Sequence, residues 1–251
     1  MERAIKTYLE ESARKLGDMY RYLKTINLEG YLDTMRFSPG IEEYATLEEM
    51  EGIISKTEGK HEIIVFDMPP TGLTLRVLAL PQVSLIWGEK LVKLRKQILS
   101  KRAVIEKVAG TKTFVLEGKE FKLSTTEEED EVMQELLKYM KEVQKVRELQ
   151  MDAERCLVMP VMNPDRLSFF ETQRTLDTLK KLGMSIGAIV MNKLSGKGQE
   201  LEVVTKAEAA LGKRIEKIPL LDREPIGMNS LEEFSKYLNA KEWLPPGRGH
   251  R

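Results

Sequence analysis

Cysteine is almost missing from this chain of 251 residues: Cys156 stands alone. One cysteine excludes a disulfide within the chain, and any site that needs a pair of thiolates for zinc or a metalloid. Its setting in Cys-Leu-Val-Met-Pro-Val is apolar, the pattern of a buried structural thiol. Histidine is nearly as scarce. His61 opens a predicted strand and His250 sits in the C-terminal tail, so a His-based triad is not expected. Net charge is absent too, because forty basic and forty acidic residues cancel. That removes any general field toward nucleic acid or an anionic membrane. No apolar run approaches the roughly eighteen residues of a spanning helix, and no signal-peptide pattern is seen. The expectation is a cytoplasmic protein that does not span a membrane.

What is present suits a globular α/β protein. Hydrophobic residues make up 41% and charged residues 32%, enough to bury a sizeable core. Apolar positions at helical spacing predict a helix over Glu2–Leu23. Thr46 and Glu49 read as the capping box of a short helix. Glu62–Asp67 reads as a strand. A long Leu-, Lys- and Arg-rich stretch then runs to about Val108, followed by a hairpin at Thr113–Leu123 and a second long helix at Glu127–Met151. From Arg155 onward strands and helices alternate. Strands are predicted at Arg155–Met162, Ser185–Asn192 and Arg214–Pro219, and helices at Pro164–Leu182, Gln199–Leu211 and Leu231–Leu238. Such alternation implies right-handed βαβ units, a mostly parallel sheet and helices on both faces.

The segment richest in chemistry is His61–Pro81, HEIIVFDMPPTGLTLRVLALP. An apolar strand ending on Asp67 and turning through Pro and Gly can set a carboxylate at the carboxyl edge of a parallel sheet, where α/β proteins bind ligands. A carboxylate there helps hold Mg²⁺ in phosphate-handling proteins. The plainer reading is an Asp that caps the following turn.

The whole turn is more specific than its Asp. It resembles switch II of the arsenical pump-driving ATPase family, which also includes the ATPase that targets tail-anchored membrane proteins. The family reads close to D-T-A-P-T-G-H-T-L-R, and Asp67, Pro70, Thr71, Gly72, Thr74, Leu75 and Arg76 match it. Four other segments resemble the family in order: Ser38-Pro-Gly-Ile-Glu-Glu43, Met162–Arg174, Val190-Met-Asn-Lys193 and Ile218-Pro-Leu-Leu-Asp-Arg-Glu-Pro225. The resemblance implies a deviant phosphate-loop NTPase fold using ATP and Mg²⁺. Asp67 would stand near Mg²⁺ and its water, and Thr71 and Gly72 would reposition with the γ-phosphate. Asn192, beside Lys193, would read the adenine edge through its amide. The backbone around Pro219, Leu220, Asp222, Arg223 and Glu224 would flank the base. Without the family, Asn192 reads as a strand-ending Asn, and Arg223 with Glu224 as a surface ion pair.

The departures from the family matter as much. Leu73 replaces its usual His and Met68 a Thr, and the missing cysteines make metalloid activation unexpected. No phosphate loop is found. The Gly-Lys pairs at Gly59, Gly118, Gly196 and Gly212 are followed by His61, Glu120, Gly198 and Arg214, never by Ser or Thr. The expectation is a single incomplete NTPase-like domain over residues 1–244, with a helical insertion at about 82–151 and a mobile tail at 245–251. Such a chain would bind ATP weakly and hydrolyse it negligibly alone. It would act as a homodimer or with a companion N-terminal polypeptide. The competing expectation is a non-catalytic binding module. Apolar stripes through Trp87, Leu91, Leu94, Ile98, Val104, Val108, Met133, Leu136, Leu137, Met140 and Val143 would then hold a hydrophobic peptide or membrane-protein partner. The plainer expectation is that these stripes pack on each other.

Overall fold

The computed structural model describes residues 2–19, 38–110, 113–116 and 119–237. The predicted hairpin turn, the part of the first predicted helix beyond Met19, Leu238 of the last predicted helix, and the predicted tail lie outside them. The chain divides into two compact units, Met1–Arg147 and Glu148–Arg251. Among the described residues no helix is long and apolar enough to cross a membrane.

The first unit is helical, with one hairpin. Helix α1 is Glu2–Met19, α2 is Ile41–Thr57 and α3 is Thr71–Ala109. Strands β1 (Thr113–Leu116) and β2 (Lys119–Lys122) pair antiparallel with Phe114 opposite Phe121, as the Gly-centred pattern predicts. Helix α4 runs Glu131–Met151. Leu9, Ala45, Val77, Leu99 and Met133 are buried, and the Tyr8 and Tyr44 rings stack at 6.2 Å.

Three expectations change here. Thr46 does not cap α2. The helix starts six residues earlier than that cap implies, after Gly40, whose φ of 92° suits glycine at the turn. Thr46 sits inside it and donates its hydroxyl to the Glu42 carbonyl at 2.7 Å. Helix α4 begins at Glu131, not Glu127, because Asp130 accepts the Met133 amide at 2.8 Å and caps it. The predicted strand Glu62–Asp67 belongs to no sheet. Its alternation survives: Ile64 and Phe66 are half-buried, while Ile63 and Val65 are exposed. Period-two apolar spacing specifies an extended backbone, but a ladder also needs a neighbour for its N–H and C=O groups. No described strand supplies one.

The second unit carries the alternation. Strand β3 is Val161–Met162, α5 is Arg166–Lys181, β4 is Ile189–Leu194, α6 is Gln199–Ala210, β5 is Ile215–Pro219 and α7 is Met228–Ser235. The sheet order is β3-β4-β5, and both pairings are parallel. Asp165 caps α5 by accepting the Ser168 amide at 2.8 Å. Ile189 and Met191 of β4 are fully buried and Val190 nearly so. A strand covered on both faces reads as a continuous apolar run. Leu176, Leu179, Ala207, Leu211 and Ile218 complete this core. The first strand is shorter than expected, reduced to β3 and an isolated bridge from Val158 to Ile186. The α/β class with a parallel sheet stands as the alternation predicts.

Candidate functional site

In the first unit, Asp67, Thr71 and Gly72 lie within one short stretch where extended chain becomes helix. Asp67 is exposed. Pro70 is the N-cap of α3, and its carbonyl accepts the amides of Leu73 at 3.0 Å and Thr74 at 3.1 Å. The Thr74 hydroxyl donates to the Pro69 carbonyl. This leaves Thr71 and Gly72 as the first two helical residues, whose amides helix geometry does not pair internally. Both residues are exposed, and a Cβ added at Gly72 would meet nothing within 4 Å. The Asp67 carboxylate therefore sits just before a helix start.

The Ser38–Glu43 and switch-like segments meet. Arg76, one turn into α3, donates from Nε to Glu43 Oε1 at 2.6 Å, and Glu43 is buried.

In the second unit, Asn192, Lys193, Pro219 and Leu220 gather at the carboxyl edge of the parallel sheet. Leu194 pairs with Pro219, and the Leu220 amide donates to the Leu194 carbonyl at 2.8 Å. Between Met191 and Leu194 the register shifts, so Asn192 and Lys193 bulge from the ladder. Lys193 has φ 61°, and its amide donates to Asn192 Oδ1 at 2.9 Å. Asp222, Arg223 and Glu224 are exposed. They line a cleft of about 690 Å³ whose other wall is Ser230 and Phe234 of α7, with Tyr237 beyond. No ion pair between Arg223 and Glu224 is found among the described residues.

Glu200 was not singled out from the sequence. It lies in the first turn of α6 and accepts the amides of Ser195 at 2.8 Å and Gly196 at 3.0 Å. The S-G-K-G sequence before it signals a turn, but nothing local says which side chain fills that turn.

The apolar stripes do not simply pack together. Met133 and Val143 are buried and Ile98 is half-buried, but Trp87, Leu91, Leu94, Val104, Val108 and Leu137 are exposed. The face is carried by α3, which runs from Thr71 through this region without a break. At Gly88 α4 approaches closely: a Cβ there would lie 2.8 Å from Met140 Cγ.

As for Mg²⁺, no group of three His, Cys, Asp or Glu side chains could hold a metal ion among the described residues. A lone carboxylate still fits an ion that takes most of its ligands from water and phosphate oxygens.

A parallel sheet with helical crossovers, an Asn bulge at its carboxyl edge and a Pro-Pro-Thr-Gly helix entry define an α/β protein consistent with the phosphate-loop NTPase-like fold. Residues 2–240 match the family described as anion-transporting ATPase, and this chain belongs to that family. It is 28% identical over 228 residues to a protein of Aquifex aeolicus named provisionally as arsenical pump-driving ATPase 2, covering 84% of this chain and 68% of that one. It is 31% identical over 219 residues to a Chlorobaculum tepidum protein, also named provisionally as an arsenical pump-driving ATPase, covering 81% and 50%. To the ATPase ASNA1 homolog of Trypanosoma cruzi it is 28% identical over 217 residues, covering 80% and 56%. The chain thus spans about half to two thirds of the length of these curated relatives.

Proposed function

We propose that this chain supplies the nucleotide-sensing and adenine-side parts of an ATPase of the arsenical-pump and tail-anchor-targeting type. The observation that carries the reading is the β4–β5 carboxyl edge. There an Asn amide with its oxygen already oriented stands beside the Pro219–Leu220 turn. In this reading Asn192 contacts the adenine edge, Pro219 to Glu224 flank the base, and Lys193 shapes the turn between them. Asp67 stands near Mg²⁺ and its water, where the ion would screen phosphate charge. Thr71 and Gly72 present helix-start amides to the γ-phosphate side. The assembly acts as a homodimer or with a companion polypeptide that carries a phosphate loop.

The sequence of this chain contains no G-K-[ST] segment. Without a lysine and a backbone cradle, β- and γ-phosphate charge lacks a clamp. The chain by itself therefore binds MgATP weakly and turns it over negligibly. Calorimetry with MgATP, and ATPase assays on the chain alone and with a phosphate-loop polypeptide from the same genome, test this. Turnover restored by that polypeptide and lost in Asp67→Ala supports the reading. Steady turnover by the chain alone above an Asp67→Ala control overturns it.

A second reading has its own observation, the exposed Val83, Trp87, Leu91 and Leu94 at helical spacing on α3. They would suit a hydrophobic peptide or membrane-protein client, held by a non-catalytic module. Client binding that ignores nucleotide favours this reading over the first.

A further inference from the structure

One carboxylate organises the loop after β4. Glu200 Oε2 accepts the amides of Ser195 at 2.8 Å and Gly196 at 3.0 Å, and Oε1 accepts the Ser195 hydroxyl at 2.8 Å. These donors, the Ser195 hydroxyl foremost, hold the carboxyl below its ordinary range. The loop is thus fixed immediately after Leu194, and Leu194 is itself pinned to β5 through Leu220.

Asn192 and Lys193 occupy the irregular step just before that anchor. Lys193 is the one non-glycine residue with positive φ among the described residues. A side chain with a Cβ keeps that conformation when the surrounding structure holds it there. The turn aims the Lys193 amide at Asn192 Oδ1. Because a backbone N–H only donates, it selects the oxygen of the side-chain amide and leaves Nδ2 on the other side. The orientation matters for a purine. Adenine offers an amino donor at position 6 beside a ring acceptor, and guanine an oxo acceptor. Oδ1 keeps a second lone pair, so an amide held in this orientation can accept the 6-amino group of adenine on its oxygen while Nδ2 donates to the neighbouring ring nitrogen, whereas a 6-oxo group in the same pose would face that oxygen.

We infer that Glu200 is a positioning residue: through the Ser195–Gly196 loop and the left-handed Lys193 turn it fixes the Asn192 amide, and so sets a preference for a 6-amino over a 6-oxo purine. The inference rests on the adenine contact proposed for Asn192.

Titration of the full chain with AMP and with GMP, followed by NMR at the Asn192 side-chain amide and the Lys193 and Ser195 backbone amides, tests it. In the unmodified chain AMP moves the Asn192 signals at lower concentration than GMP. In Glu200→Ala the ratio of the two dissociation constants falls about fivefold, the size of one hydrogen bond. Glu200→Gln, which keeps one oxygen acceptor, recovers part of the preference. Unchanged Ile189 and Ile218 amide signals show that the sheet is intact. If the variant keeps the full AMP preference, or loses both nucleotides equally, the positioning role is overturned while the adenine contact stands. If neither nucleotide moves Asn192 in the unmodified chain, the adenine contact itself falls, and this inference with it.

Discussion

Arg76 on α3 and Glu43 on α2 are joined by a 2.6 Å hydrogen bond between Nε and Oε1, across thirty-three residues of sequence. Each belongs to a segment that resembles the same ATPase family. The bond therefore ties the start of the switch-like helix to the segment that precedes it. Glu43 is buried while the Arg76 side chain is 65% exposed, so the pair behaves as a buried acceptor served by a solvated cation.

Arg76→Ala leaves the Glu43 carboxylate buried without this donor. A loss of about 1 kcal/mol is expected, discounted for the solvent around Arg76. Urea denaturation of the chain measures it. In the Arg76→Ala background, Glu43→Gln costs less than it does alone, because the charge it removes no longer has this partner.

Arg95 grips Asp130 with two bonds, Nε to Oδ1 at 2.8 Å and Nη2 to Oδ2 at 2.7 Å. Asp130 also caps α4, so one buried carboxylate locks α3 to the start of α4. Burial would raise its pKa, but the bonds from Arg95 and the Met133 amide and the charges of Arg95 and Arg102 outweigh it and hold the pKa low. Asp130→Ala removes both of these Arg95 bonds and the cap, a loss of about 2–3 kcal/mol. The sign with pH follows from the depressed pKa. The stabilisation is present above the ordinary aspartate value of about 3.9 and fades as pH falls through the lower folded value. Thermal melts from pH 7 downward show the steepest difference between unmodified chain and variant vanishing in acid.

Glu51 on α2 behaves in the opposite sense. Burial, then the charges of Glu48 and Glu142, raise its pKa to about 7. In the unfolded chain it ionises near 4.3, so between those values the folded state binds the extra proton. Its contribution favours folding in mild acid and declines as pH rises toward 7. Glu51→Gln is expected to raise the melting temperature at pH 8 and to change it little at pH 4.5.

Gly187 precedes β4 where Leu157 crosses it. An added Cβ would lie 2.8 Å from Leu157 Cδ2 and 3.3 Å from Met159 Cγ. Gly187→Ala is expected to cost about 1–3 kcal/mol through overpacking. Pairing it with Leu157→Ala relieves the clash, and a double-mutant cycle by chemical denaturation reads the coupling.

The sequence carried the architecture well where structure is local or periodic. The β4 run Ile189-Val-Met191 is legible because both faces are covered, and α5 is legible from its stripe of Phe169, Leu176 and Leu179. Asn192 and Pro219–Leu220 stood out in the chain and lie together at one sheet edge. What was not legible depends on which of several possible partners, near or far in sequence, a group takes. Glu62–Asp67 has strand composition, but strand pairing is decided elsewhere in the fold. Thr46 and Glu49 match a capping box, yet Gly40 opens the helix earlier. Glu200 and Asp130 read as two of the chain's forty acidic residues, because their roles come from amides and a guanidinium that the sequence does not point to.

Helix α3 carries thirty-nine residues from Thr71 to Ala109. At 1.5 Å per residue it is a rod of about 58 Å, with the proposed γ-phosphate contact at one tip. A tilt of about 5° at Thr71 would carry Ala109 through roughly 5 Å on that geometry. Trp87, two fifths of the way along, would travel about 2 Å, enough to reshape an apolar face. Leverage of this kind needs no hinge in the rod, only a pivot at its first turn.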